Sequence, residues 1–198
     1  MRKSLFIIPL IAAGIAATAL SCNNTQASPE RKTTGMDSTE KVKRGEYLVS
    51  IIGCDDCHSP KRMGPMGPEI IPELRLSGYP SSRPVMKADT SEVNQGWAMF
   101  VPDLTSSVGP WGVSFSANLT SDETGIGNWT EENFLRAIRE GKYKGLETSR
   151  PLLPPMPWFV YKNMKDEDLK SIFAYLKTVK PVENVVPAPK TLADVAKK

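Results

Sequence analysis

Histidine is nearly absent from this sequence: there is one among 198 residues, alongside three cysteines. A structural zinc site takes about four thiolate or imidazole ligands, so a chain this poor in both has little from which to build one. Charge of one sign is not in excess either. The 25 lysines and arginines stand against 22 acidic side chains, a net of +3, which does not call for a nucleic-acid partner or an anionic membrane surface. With 40% apolar residues the chain can build one sizeable core but not several independent domains.

The first residues stand apart from that core. "MRKSLFIIPLIAAGIAATAL" begins with Arg2 and Lys3 and continues uncharged from Ser4 to Leu20, the pattern of an export signal over residues 1–21. The uncharged run is short of the ~20 residues of a spanning helix, and Pro9 and Gly14 interrupt it; an uncleaved anchor is the competing reading. "ATALSC" places Cys22 directly after small and aliphatic residues and resembles the lipobox of bacterial lipoproteins, with Ala19 where leucine is usual and Ser21 where glycine or alanine is commoner. The other possibility is ordinary cleavage nearby, which would leave a free thiol that exported proteins seldom keep. Lipidation of Cys22 accounts for that thiol. Cleavage there removes two bases and leaves 23 basic against 22 acidic side chains, a net of +1. Residues 22–38 then form a flexible tether, small and polar without an apolar period. Residues 39–198 form the folded domain.

Order is expected from "TEKVKRGEYLVSIIGC", where Val42, Gly45, Val49 and Ile52 fall on one helical face, with Thr39 as the candidate cap. This helix delivers "CDDCH". If the backbone stays near-helical from Cys54, the thiols of Cys54 and Cys57 point the same way one turn apart, with His58 following. A thioredoxin-like redox pair would want a preceding strand and a parallel sheet, and a zinc site lacks ligands. Covalent attachment of one haem c needs these three residues in this order, in an exported protein. Two thiols can add to the two vinyl groups while the imidazole lies under the iron.

Because His58 is the only histidine, bis-histidine ligation within one chain is excluded. The sixth position falls to methionine, a less usual group such as lysine, water, or nothing. Of eight methionines, Met1 leaves with the signal and Met36 lies in the tether. Met63 and Met66 follow His58 too closely to reach the opposite haem face, and Met86 and Met99 have no special setting. Met156, in "RPLLPPMPWFVY", is held between Pro155 and Pro157, which stiffen the backbone without a helix. It is the favoured ligand, Met164 the best alternative, and ordinary core packing the competing role for Met156.

Two further helices are expected. Thr130 caps "EENFLRAIREG", with Phe134, Ala137 and Ile138 on one face and Gly141 ending it. Asp166 opens "EDLKSIFAYLKTVK", with Leu169, Ile172, Phe173 and Leu176 on one face. Between the haem motif and these helices, residues 60–117 hold eight prolines and read as a loop-rich insertion, with short strand-like pieces at 97–101 and 112–115.

The motifs "RGEYLVSIIGCDDCHSP", "ANLTSDETGIGNWTEENFLRAIREGKYKG" and "RPLLPPMPWFVYKNMKDEDLKSIFAYLKTVKPVENVVP", in this order, resemble a bacterial class I c-type cytochrome, and specifically a single domain of the cytochrome c subunits of membrane alcohol and gluconate dehydrogenases. The resemblance implies a mainly α class I cytochrome c fold, His58 and Met156 as axial iron ligands, and single-electron transfer without catalysis. It also implies that the first and last helices cross, with Gly45 meeting Phe173 or Tyr175. Those subunits carry three haem motifs in one chain and this sequence one, which suits a self-contained carrier tethered by lipid on the periplasmic side. Its redox partners would be a dehydrogenase or quinol-oxidising complex and a terminal oxidase or other cytochrome. A permanent subunit of a dehydrogenase complex and a haem sensor or peroxidase-like enzyme with an open sixth site are the alternatives. The insertion is expected either to cover a haem edge, with Trp97 and Trp111 near the porphyrin and Arg150 or Asn118 near the propionates, or to form a satellite apolar cluster. Intact mass of the membrane-extracted protein is expected to give a chain starting at Cys22 and carrying acyl mass; an uncleaved or unacylated chain refutes the lipoprotein reading.

Overall fold

The computed structural model describes residues 36–196; the signal segment, Cys22 and nearly all of the tether lie outside the described residues. Helix α1 (Ser38–Ile51) starts one residue before Thr39, and its cap is Asp37, whose Oδ1 accepts from the Glu40 amide at 2.8 Å. An aspartate satisfies the otherwise orphaned first-turn amides as well as threonine does, and here it stands two residues earlier than expected.

Helix α1 crosses the closing helix, here α6 (Asp166–Leu176). Gly45 is the point of contact. A Cβ added there would collide with the Ser171 carbonyl and lie 2.7 Å from Tyr175 Cβ, so the close approach requires glycine, as the expected pairing with Tyr175 anticipates. Beside the crossing, Arg44 Nε donates to Asp168 Oδ1 at 2.6 Å. Helix α4 (Glu131–Arg139) packs on α6, capped by Thr130 and followed by Gly141 at φ 64°. Leu48, Val49, Phe134, Ile138, Leu169, Ile172, Phe173 and Leu176 form the buried core with Leu76 and Ile126, each large apolar side chain contributing roughly 1.5–3 kcal/mol on burial. Phe134 and Phe173 stack at 5.4 Å between centroids.

The expectation of a mainly α fold needs correction: the described chain is mixed. After α2 (Cys54–His58), the insertion folds an antiparallel hairpin, β1 (Lys61–Gly64) with β2 (Gly67–Ile70). Beyond a short helix α3 (Thr90–Asn94), it folds a three-stranded antiparallel sheet in the order β3 (Met99–Phe100), β4 (Ser106–Gly109), β5 (Gly112–Phe115). The turn "GPWG" joins β4 to β5, with Gly112 at φ 91°. Strands β3 and β5 fall within the strand-like pieces expected at 97–101 and 112–115; β4 between them is unexpected, its buried Ser106 and Ser107 breaking the apolar alternation by which a half-buried strand is recognised. The hydroxyls are satisfied within the sheet: Ser106 donates to the Ser114 carbonyl at 3.0 Å, and Ser107 and Ser114 hydroxyls meet at 3.0 Å.

The insertion also forms a second apolar cluster, of Val93, Val108 and Val113 with Val195 of the last helix, α7 (Leu192–Val195). The segment returning to α7 bridges Lys190 to Val113. Replacing Gly45 by alanine is expected to force α1 and α6 apart and cost about 1–3 kcal/mol, read as a lowered urea midpoint; an unchanged midpoint would contradict the crossing.

Candidate functional site

Gly53, at φ 78°, ends α1 and starts α2. The left-handed conformation, cheap for glycine, reverses the chain so that Cys54, Cys57 and His58 follow as one short helix. All three line a single cleft of about 530 Å³, within the range of small-molecule and cofactor sites. Its walls are mainly apolar, with Ile126, Trp129 and Phe134 among them. Among the described residues no group of three or more His, Cys, Asp or Glu side chains is placed to hold a metal ion. Burial, aided by the Asp55 charge, pushes the Cys54 thiol up to about 12, and burial and Asp56 raise Cys57 as well. A redox thiol is activated by the opposite shift, so neither cysteine has the lowered pKa that a thioredoxin-like centre uses.

His58 Nδ1 lies 2.8 Å from the Ala117 carbonyl oxygen. A carbonyl only accepts, so Nδ1 carries the proton and the neutral ring keeps its lone pair on Nε2. Burial pulls the His58 pKa below its ordinary value, against the opposing effect of that hydrogen bond, which favours the neutral, ligating form. Ala117 is itself fixed beside His58, since the Gly78 amide donates to the His58 carbonyl at 2.8 Å and the Tyr79 amide to the Ser116 carbonyl at 3.0 Å.

The short helix α2 is held from outside by polar contacts that the sequence did not suggest. Asp55 accepts from Ser59 Oγ at 2.6 Å and from Arg75 Nη2 at 2.8 Å. Arg75 in turn donates to the Tyr175 hydroxyl at 2.5 Å, tying the motif to α6. The Lys61 ammonium donates to the carbonyls of Asp55, Asp56 and Ser59 at 2.7–3.0 Å and to that of Asp103 at 3.2 Å, placing a positive charge on the C-terminal carbonyls of α2, the favourable end of its dipole.

Met156 lines the same cleft as His58, and so does Met164. Met63, Met66 and Met86 are exposed, and Met99 packs in the second cluster. The Met156 segment leads into α5 (Trp158–Tyr161), whose Tyr161 hydroxyl donates to the Ile52 carbonyl at 2.7 Å. That bond joins the Met156 side of the cleft to the end of α1.

Of the residues expected around the porphyrin and its propionates, only Arg150 lines the cleft, its guanidinium 4.1 Å over the Tyr143 ring centroid. Asn118 is buried, and its amide is committed to Thr124, Val182 and Thr120; it is a loop-fixing residue. Trp97 is exposed, while the Trp111 indole donates to Ser114 Oγ at 3.3 Å, and neither is part of the cleft wall. Trp129 is the tryptophan in the wall, with Phe100 and Leu104 of the insertion. Trp129 stands in a motif that carries the resemblance, but nothing in its spacing marks it as a lining residue.

Two thiols one turn apart, a neutral imidazole with Nε2 free and thioether sulfur around one apolar cleft form a donor set that fits a covalently held haem. Crossed helices around such a cleft agree with the class I c-type cytochrome frame that the resemblance implies. The chain is 31% identical over 175 residues to the fructose dehydrogenase cytochrome subunit of Gluconobacter japonicus, an alignment covering 87% of this chain and 28% of that protein. It is 32% identical over 135 residues to the gluconate 2-dehydrogenase cytochrome c subunit of Pantoea cypripedii, covering 68% and 22%. With the cytochrome c subunit of the quinone alcohol dehydrogenase of Gluconobacter oxydans it shares 29% over 143 residues, covering 71% and 22%. The chain thus spans no more than 28% of the length of these relatives. No protein-family model matches it. The chain is a homologue of these subunits and carries a cytochrome c domain resembling them.

Arg75→Ala is expected to leave the Asp55 carboxylate without its cation and to cost about 1–2 kcal/mol, discounted for partial exposure of the pair. Urea unfolding of the holoprotein reads this as a lower midpoint at unchanged slope; a wild-type midpoint would remove Arg75 from the support of α2.

Proposed function

We propose that this protein is a c-type cytochrome that carries single electrons, with one haem c attached through Cys54 and Cys57 and ligated by His58 and Met156. Bound there, the haem supplies a one-electron ferric/ferrous couple. The observation that carries the reading is the convergence of both cysteines, the oriented neutral imidazole and Met156 on one apolar cleft.

The roles follow from the chemistry of each group. Cys54 and Cys57 tether the cofactor. His58 offers Nε2 because its other nitrogen is committed to Ala117. Met156 supplies a soft sulfur donor, which favours the reduced iron and so a higher potential. With His58 and Met156 both holding the group, no ligand position would be left for a substrate, and the apolar wall would limit the access of water. Arg150 at the cleft is the candidate partner of a propionate. The electron would come from a dehydrogenase or quinol-oxidising complex and leave to an oxidase or another cytochrome, with Cys22 tethering the carrier to a membrane on its periplasmic side. Among the described residues no helix is long and apolar enough to cross a membrane.

A second reading, a permanent cytochrome subunit of a dehydrogenase complex, is favoured by the names of the relatives. A dehydrogenase that co-purifies stoichiometrically would establish it over the free carrier.

The near-infrared sulfur-to-iron charge-transfer band tests the ligation. The oxidised, periplasm-matured protein is expected to show it, Met156→Ala to lose it, and Met164→Ala to keep it. Loss in Met164→Ala alone would move the ligand to Met164, and a high-spin wild type that binds carbon monoxide readily would replace electron transfer with a sensor or enzyme reading.

A further inference from the structure

Strand β5 touches both ligand-bearing sides of the cleft within four residues. At Ala117, just beyond its end, the backbone carbonyl accepts from His58 Nδ1 at 2.8 Å. At Ser114, within it, the hydroxyl donates to the carbonyl of Pro154 at 2.6 Å, two residues before Met156.

The Ser114 hydroxyl has one proton and two lone pairs. Pro154 offers only an acceptor, so the proton is committed to it. The Trp111 indole can only donate, and does so to Ser114 Oγ at 3.3 Å. Ser107 Oγ, 3.0 Å away, must then donate as well. Every site on the hydroxyl is used and only one arrangement of protons satisfies all three contacts. Donors arriving at Oγ polarise the O–H that leaves it, which strengthens the bond to Pro154. Ser107 and Ser114 are both buried, where an apolar residue would avoid the cost of desolvating a hydroxyl.

We infer that Ser114 is a positioning residue for the Met156 side of the cleft: its hydroxyl fixes the Pro154 carbonyl relative to the strand that also orients His58, and so resists withdrawal of Met156 from the iron. The inference rests on the His58/Met156 reading. The insertion, on this account, sets how readily an outside ligand displaces the methionine.

Imidazole titration of the ferric holoprotein, followed by loss of the near-infrared band, tests it. Ser114→Ala is expected to bind imidazole about fivefold more tightly than wild type, the equivalent of one net hydrogen bond, while Ser114→Thr, which keeps the hydroxyl, stays close to wild type. Thr191→Ala is the control: it removes the cap of α7, which packs on the same sheet, and should lower Tm without changing imidazole affinity. Trp111→Phe removes one donor to Ser114 and should tighten imidazole about twofold, so the inference remains testable if Ser114→Ala does not mature. Unchanged affinity in Ser114→Ala, or in Trp111→Phe where that variant decides, overturns the inference, as does equal tightening in Thr191→Ala at the same loss of Tm. A wild type without the band fails the ligation reading itself, before any variant is compared.

Discussion

The hydrogen bond from His58 Nδ1 to the Ala117 carbonyl is the constraint on which the rest of the site depends. On the proposed ligation a single histidine would serve as the imidazole ligand, which it can do only neutral, in one tautomer and at one orientation. A backbone carbonyl is a dependable partner for this, because it cannot titrate or reverse its role. The carbonyl must then be fixed in its turn. The chain fixes it with backbone bonds from Gly78 and Tyr79 and with Gly78 at φ 77°, where an added Cβ would lie 2.6 Å from Ala117.

This explains why an insertion of fifty-odd residues is not a loose appendage. Its near end follows directly from α2, its far end supplies the carbonyl for His58, and its middle has an apolar cluster of its own closed by α7. The cluster packs on the sheet from which the Ala117 carbonyl follows. Expected as alternatives, a satellite cluster and a wall over the cleft are joined here: the cluster supports the sheet, and Phe100, Leu104 and Phe115 line the cleft.

Much of the helical frame was legible because it obeys simple periodicity. Phe134, Ala137 and Ile138, and Leu169, Ile172, Phe173 and Leu176, are buried as their spacing requires, and Gly45 meets Tyr175. Cys54, Cys57 and His58 stood out because their order and spacing are those of covalent haem attachment, and the structure places all three at one cleft. Of the sheet, β3 and β5 were legible as short strand-like pieces, but β4 and the first hairpin were hidden. The buried serines of β4 are satisfied by hydrogen bonds to Ser114, so they sit in the interior while looking like loop residues, and only the tertiary partners reveal them. The same limit applies to the tryptophans: size and hydrophobicity made Trp97 and Trp111 candidates for the porphyrin, yet one is exposed and the other turns its indole to Ser114.

Polar groups are placed around this apolar site according to what they hold. Asp55 with Arg75, and Lys61 with four carbonyls, grip α2 from behind, so the face carrying the sulfurs and imidazole can remain apolar. Arg150 and Asp56 are charged side chains at the cleft, but the groups that grip α2 lie outside it and order the motif without adding charge beside the sulfurs and the imidazole. Partly exposed pairs contribute only modestly to stability, but a five-residue helix has too few internal bonds to hold its own shape. The external ties therefore do for α2 what length does for α1 and α6, and they allow two sulfurs and one imidazole to be presented together from a helix hardly longer than a turn.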